Sequence, residues 1–348
     1  MLKRIAASVR NDPDVTVIIV SWNTREILRE CLHSVQENAG AVECEIVVVD
    51  NASADGSAPM VARDFPHVRL IANAENRGFA AANNQGMALA RGRYVLLLNS
   101  DTVVLDRALE KTVAFAAAHP RAAVVGCRVL NPDHTLQNTC FMFPSALNLL
   151  LAFTYGYKLF PRSRFWGREF MTYWDRDDIR PVDVVSGCYM LVRREAIEQV
   201  GRMDEAFFLY AEETDWCYRF RRAGWDVLFT PAAGIIHLGG ASSRQVGSKI
   251  KLQVWGGILQ FLKKHKSRAE YLLACGLIAL FFLIRIPGWA IRGCLRTSER
   301  VQSWRVARTY AAGALAVLHG CQGLCVARGT PPGPEAPVPQ FASPETIE

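Results

Sequence analysis

The stretch Leu98-Asn99-Ser100-Asp101 ends the apolar run 95–98 in two oxygen-bearing side chains two positions apart. Such donors suit a hard divalent cation, which keeps waters and phosphate oxygens in its other positions. The same tripeptide would also cap a following helix. A second group, Glu212-Glu213-Thr214-Asp215, follows the aromatics Phe207, Phe208 and Tyr210. A carboxylate against an aromatic wall can act as a general base if it faces a pocket. Acids at a helix N-terminus also simply complement the helix dipole. Ser21-Trp22-Asn23 and Asp50-Asn51 close two further apolar runs, and His237 closes Ile235-Ile236. That histidine reads either as a packed side chain or as a ligand.

These groups need elements to hold them. The runs 15–20, 45–49, 68–71, 94–98 and 123–127 read as buried strands, with little of the polar alternation of a half-exposed one. Between them, apolar residues recur at helical spacing, as in Ile27, Leu28, Cys31, Leu32 and Val35. Asn23 or Thr24 is placed to cap that helix. Further helices are expected over about 80–90 and over 105–119, the latter stopped by Pro120. Alternating strands and helices predict an α/β fold with a mostly parallel sheet and crossover helices. Ligands bind such sheets beyond the carboxyl ends of the strands, so Ser21-Trp22-Asn23, Asp50-Asn51 and Asn99-Ser100-Asp101 should line one nucleotide site. No G-x-G-x-x-G follows the first strand and no G-x-x-x-x-G-K-[ST] is present, which argues against a nicotinamide Rossmann site and a P-loop.

Residues 131–178 change character, becoming rich in Phe, Tyr, Trp and Leu, and read as a long excursion over one face, a substrate lip. A strand over 182–192 is interrupted by Ser186-Gly187, which marks either close approach of a ligand or a bulge. A helix should run from Glu212 to Arg222-Ala223-Gly224. A strand follows at 226–229, a further apolar stretch ends at Ile235-Ile236-His237, and Gly239-Gly240-Ala241-Ser242-Ser243 reads as a mobile loop.

The 348 residues carry a net charge of +7, unevenly spread. Residues 244–308 hold 13 Lys or Arg against Glu270 and Glu299, so the remainder is net acidic. A basic block of this kind fits phosphates or an anionic membrane face. It is interleaved with apolar helix rather than with a stacking platform, which argues against nucleic acid. An amphipathic helix is expected over 246–265, ending in Lys263-Lys264-His265-Lys266. The apolar run 271–284, broken by Arg285 and Pro287, would span about 21 Å as a helix, short of a bilayer core of about 30 Å. Its basic flanks suit a helix in the inner-leaflet interface; the alternative is a core helix packed on the first domain. A weaker helix falls at 310–318. The tail 329–348 has the Pro-rich composition of disorder. Residues 1–14 form an arm without the apolar core of a secretory signal. The ten cysteines show no zinc-type spacing and favour a reducing cytosol. The domains are thus an arm (1–14), an α/β domain (15–245), a helical appendage (246–328) and a tail (329–348).

Five blocks together resemble the inverting family-2 glycosyltransferases of GT-A fold, in the rhamnosyltransferase-like branch that builds bacterial surface polysaccharides. They are Val17-Ile18-Ile19-Val20-Ser21-Trp22-Asn23, Val47-Val48-Val49-Asp50-Asn51-Ala52-Ser53, Asn76-Arg77-Gly78-Phe79-Ala80, Leu98-Asn99-Ser100-Asp101 and Glu212-Glu213-Thr214-Asp215. They run in the family's order from residue 15 to about 240. The resemblance implies that Asp50 hydrogen-bonds the nucleotide base, with Ser21, Trp22, Asn23 and Asn51 beside it. Asn76, Arg77 and Gly78 would touch the nucleoside or diphosphate. Asn99-Ser100-Asp101 stands in for the family's Asp-x-Asp, with Asp101 on Mn2+ or Mg2+. Asn99 replaces the first aspartate and removes one negative charge. His237 matches the family's late histidine, as a second metal ligand. Glu213 falls at the catalytic base, with Asp215 and Glu212 as rivals, and Gly187 would lie on the acceptor side.

The implied activity is transfer of a sugar, with rhamnose weakly indicated, from a nucleotide-diphosphate donor to a lipid-linked or glycan acceptor at the cytoplasmic face of the inner membrane. The loop 239–248, with Arg244, would close over the diphosphate. A processive polysaccharide synthase is a rival, disfavoured by the lack of Gln-x-x-Arg-Trp. An inactive nucleotide-sugar-binding scaffold is another, kept open by Asn99 and Glu213.

Overall fold

The computed structural model describes residues 12–240 and 249–319. The N-terminal arm up to residue 11, most of the expected closing loop and the tail lie outside the described residues. The first half runs β1 (Val15–Ser21), α1 (Arg25–Asn38), β2 (Cys44–Asp50), α2 (Ser57–Asp64), β3 (Arg69–Ala72), α3 (Phe79–Leu89), β4 (Tyr94–Asn99), β5 (Thr102–Val104), α4 (Ala108–Ala118) and β6 (Ala122–Leu130). The excursion holds β7 (Cys140–Phe141), α5 (Ala146–Phe153) and α6 (Gly156–Leu159). There follow β8 (Arg180–Pro181), β9 (Val184–Val185), β10 (Tyr189–Arg193), α7 (Arg194–Val200), α8 (Glu212–Arg222) and β11 (Asp226–His237). The appendage is α9 (Lys249–His265), α10 (Arg268–Leu295) and α11 (Arg300–Leu318).

The main sheet has the order β3-β2-β1-β4-β10-β6-β11-β5, with β8 also paired to β11. β3, β2, β1 and β4 are parallel, as the strand–helix alternation requires. The direction reverses at β10, antiparallel to both β4 and β6, so the sheet as a whole is mixed. Its inner strands are apolar on both faces because both faces are covered. Val17 and Ile19 of β1 join a core with α1 and α4, whereas Ile18 joins the opposite core with α3 and α8. That is the two-residue period of a strand sorting one sequence into two cores. Gly86 lets α3 lie close on the sheet, since a Cβ there would meet Ile18 Cγ2 at 2.5 Å.

Three expectations change. The interruption at Ser186-Gly187 is where the chain changes sheets: β9 pairs with β7 in a separate two-stranded sheet, and β10 enters the main sheet. The expected strand 226–229 and the apolar stretch ending at His237 are one strand, β11, continuous through a bulge between Thr230 and Gly234. The apolar run 271–284 does not stop at Arg285 and Pro287. α10 carries Pro287 inside a helix of 28 residues, about 42 Å at 1.5 Å per residue. The proline loses one backbone hydrogen bond but does not end the helix. α10 is long and apolar enough to cross a membrane, and only 22% of its most apolar window is buried.

The appendage has its own core, in which Ile278 and Phe282 of α10 meet Tyr310 and Ala314 of α11. That core takes in Leu149 of α5 and Phe207 and Ala211, which precede α8. The helices are thereby packed on the segment that carries the acid cluster.

Candidate active site

The strand register gathers the polar strand ends along one edge. Ser21 pairs with Asp50 across β1 and β2, and Val20 pairs with Asn99 across β1 and β4. A hydroxyl chain crosses the same edge. Thr24 Oγ1 lies 3.0 Å from Ser21 Oγ and donates to Ser100 Oγ at 3.0 Å. Thr24 therefore spends its side chain on the site, and makes no side-chain cap bond to α1. Asp55 takes over that task, accepting from the Arg25 N–H at 2.7 Å.

Asp50 is buried. Its Oδ2 accepts from the Ser53 N–H at 3.0 Å, while Oδ1 is buried with no protein partner. Burial pushes its carboxyl above the usual range, against the pull of the Ser53 hydrogen bonds. An orphaned buried acceptor is a group awaiting a donor. Asn23 sits at φ 52° and its Oδ1 accepts from the Ala54 N–H at 2.7 Å, while Ser53 Oγ accepts from its N–H. Trp22, partly exposed, stands between them in the chain.

Asn51 is buried and bound to its neighbours. Its Nδ2 donates to Gly78 O at 3.2 Å, and its Oδ1 accepts from Asn73 Nδ2 at 3.0 Å. Its work is to hold the 76–78 loop. Asn76 Oδ1 accepts from the Gly78 N–H, closing an Asx turn, and Arg77 is exposed on it. Gly78 has φ +83°, and a Cβ there would lie 2.4 Å from Phe208 O. That carbonyl accepts from the Phe79 N–H at 2.7 Å. The donor-side loop is thus clamped to the aromatic segment leading into α8. Gly187 approaches a side chain of the protein itself: a Cβ there would touch the Phe79 ring at 3.3 Å.

At the end of β4, the Asn99 N–H donates to Cys188 O at 3.1 Å. β11 returns beside β5 so that His237 pairs with Thr102. This brings His237 Nε2 to 3.2 Å from Asp101 Oδ1 and 3.3 Å from Asn99 Nδ2. Gln137 Oε1 accepts from His237 Nδ1 at 2.6 Å. The Gln137 amide is itself oriented, with Nε2 donating to Asn131 Oδ1 and to His237 O. With the proton on Nδ1, a neutral ring would turn its Nε2 lone pair towards the Asp101 carboxylate and the Asn99 amide. Two acceptors pointed at each other fit a cation between them, so the donor set suits a hard divalent ion completed by phosphate oxygens. Among the described residues no cluster of three or more His, Cys, Asp or Glu exists, so a metal here would lean on its phosphate ligands.

The three acids of α8 part company. Asp215 is fully buried, and its carboxylate meets Arg219 Nε at 2.8 Å, Lys264 Nζ at 2.8 Å and His265 Nε2 at 2.6 Å. Burial raises its carboxyl, but the bonds from Lys264, His265 and Arg219 outweigh this and hold it below the usual range. Asp215 ties α8 to α9, and the three cationic or ring donors on its carboxylate favour the ionised form that they anchor. Lys264 and His265 are thereby committed to ion pairs with the catalytic domain, although Lys264 keeps contact with solvent. Glu212 is buried and Glu213 partly exposed, and each has an Oε2 with no protein partner. Burial drives both carboxyls upward; Glu212 is raised further by the neighbouring Glu213. Tyr210 and Ala211, immediately before them, hold φ of 71° and 69°. Two consecutive left-handed non-glycine residues are costly and cluster at functional sites.

Gln137 carries no sequence signal for this site, and Thr24 is legible there only as a helix cap. Gln137 lies in the excursion, where no local pattern points to it. The apolar stretch ending at His237 was visible, but its partner 100 positions away was not.

The family model described as Glycosyl transferase family 2 matches residues 16–201. An N-acetylglucosaminyl-diphospho-decaprenol L-rhamnosyltransferase of Mycobacterium tuberculosis is 29% identical over 203 residues, covering 55% of this chain and 66% of that protein. The chain thus matches slightly under two thirds of that relative's length. The succinoglycan biosynthesis protein ExoO of Rhizobium meliloti is 37% identical over 123 residues, 35% of each protein. In fold, the chain is similar to a mannosyltransferase of Pyrobaculum calidifontis solved with GDP-Man and Mn2+. The TM-score is 0.53 at 18% identity, covering 89% of this chain and 88% of that one.

Proposed function

This chain belongs to glycosyl transferase family 2, and on that premise we propose that it transfers a sugar, with inversion, from a nucleotide-diphosphate donor to a lipid-linked acceptor in cell-surface polysaccharide synthesis. The observation that carries the reading is the facing pair Asp101 Oδ1 and His237 Nε2 at the strand edge that also holds the orphaned Asp50 Oδ1. Asp50 receives an N–H of the base, and Arg77 answers the diphosphate charge. Asp101 and His237, with Asn99 beside them, hold Mn2+ or Mg2+. When bound, that ion neutralises the charge that develops on the departing diphosphate. Glu213 takes the proton of the acceptor hydroxyl as its oxygen attacks the anomeric carbon. A carboxyl raised by burial is the better base near neutral pH.

The acceptor class follows the mycobacterial relative, whose name specifies a decaprenol-linked diphosphate sugar. Rhamnose as the moving sugar rests on the same relative. A lipid acceptor is supported by α10, apolar with only 22% of its most apolar window buried, which would lie at the cytoplasmic face of the membrane. The test is donor binding and transfer in Glu213→Gln. Transfer should vanish while donor affinity stays within about twofold, since the base acts only in the transition state. Equal loss of both would make Glu213 structural.

A further inference from the structure

The middle of the excursion holds a turn that the sugar-transfer site does not use. In α6 and the turn after it, Leu159 is 76% exposed, Phe160 56% and Phe165 54%. Large apolar side chains this exposed, and this close together, mark a contact surface. Lys158, Arg162 and Arg164 alternate with them and are exposed too. No acid occurs between Asp133 and Glu169. The segment is therefore apolar and cationic at once.

It is continuous with α10. Phe153 stacks on Phe281 with ring centroids 4.2 Å apart, and the Arg285 guanidinium lies 5.4 Å from the Tyr155 ring. Leu283 and Ile284, next to Arg285, are themselves exposed. Apolar surface thus runs from the unburied side of α10 across Tyr155 to Leu159 and Phe165.

We propose that residues 155–165 form a second membrane-contacting element of the catalytic domain, in which Leu159, Phe160 and Phe165 enter the headgroup–acyl boundary of an anionic bilayer and Lys158, Arg162 and Arg164 meet its phosphates. Alternating aromatic and basic side chains suit both layers of that boundary. Charge selects this occupant over a second copy of the chain. An isologous contact would press two acid-free cationic strips against each other, whereas an anionic leaflet attracts them. The inference rests on the membrane-surface reading of α10 and deepens it: two attachments fix the tilt of the catalytic domain that one helix leaves free.

The experiment places a photo-crosslinking benzophenone residue at Leu159, Phe165, Leu283 or Arg63 of the full chain. Each variant is irradiated on vesicles of phosphatidylcholine with phosphatidylglycerol, and on phosphatidylcholine alone. Lipid adducts at 159, 165 and 283 but not at 63, falling severalfold at 159 and 165 without phosphatidylglycerol, are expected. Adducts at 283 without any at 159 and 165 would overturn the inference and leave the membrane reading standing. Adducts at none of the three would remove both. Covalent dimers formed through 159 or 165 would assign the surface to a second copy instead.

Discussion

His237 Nε2 lies 3.2 Å from Asp101 Oδ1, and Gln137 Oε1 holds the other nitrogen of the same ring at 2.6 Å. A strand end, a returning strand and a residue of the excursion thus define one ligand pair. Outer partners that orient a ligating histidine typically contribute 10–100-fold to metal affinity. Gln137→Ala should therefore weaken Mn2+ binding by about tenfold in the presence of a nucleoside diphosphate, read by titration calorimetry. An unchanged affinity would mean that the imidazole is oriented without Gln137.

The raised carboxyl of Glu213 sets a pH limit on transfer. Its base form is needed, and burial lifts the pH at which that form is lost. The rate should fall on acidification at a pH above the ordinary glutamate range, while nucleotide binding measured alongside stays level. A rate held down to the ordinary range would place the proton elsewhere.

Glu212 carries the opposite message about stability. A carboxyl whose pKa rises on folding opposes folding once the pH exceeds its unfolded value, and the penalty is relieved as the pH falls through the folded one. Glu212→Gln should raise the melting temperature at neutral pH by roughly 1–2 °C for each 1 kcal/mol relieved. A lower melting temperature would show that the Glu212 carboxylate has a charge partner in the folded protein.

Asp215 has the reverse sign. Its folded pKa is depressed, so its stabilising contribution is present above the unfolded value and is lost only as the pH falls through the folded one, in strong acid. Asp215→Asn leaves Arg219 and His265 half-buried without their anion. It should cost about 3 kcal/mol at neutral pH, the low end for a broken buried pair because Lys264 is partly solvated. Urea unfolding would read it. A cost under about 1 kcal/mol would reduce the cluster to a surface-type pair.

The parallel half of the sheet was legible because β1, β2 and β4 are near-continuous apolar runs with polar ends, a purely local signal. Asp50, Asp101 and His237 were legible for the same reason, each closing such a run. What was hidden depended on pairing between distant segments. The two halves of β11 read as a strand and a separate apolar stretch because the bulge at Thr230 separates their patterns. Ser186-Gly187 looked like an interruption because a change of sheet leaves the same trace as a bulge. Asp215 reads from sequence as a rival to Glu213, because the Lys264 and His265 that bind it come from α9, some 50 positions on. α10 looked broken because Arg285 and Pro287 interrupt the composition. In the fold, Arg285 lies over the Phe281 ring one turn earlier.

The most direct measurement is the melting temperature with dTDP, UDP and GDP in turn, each with and without Mn2+, for the wild type and for Asp101→Asn. A ligand that binds only the folded state raises it by mass action. One diphosphate should produce a rise that requires the metal and disappears in Asp101→Asn. No rise with any of them, or a full rise without metal that Asp101→Asn retains, would contradict the assignment of Asp101 and His237 to a metal–diphosphate site.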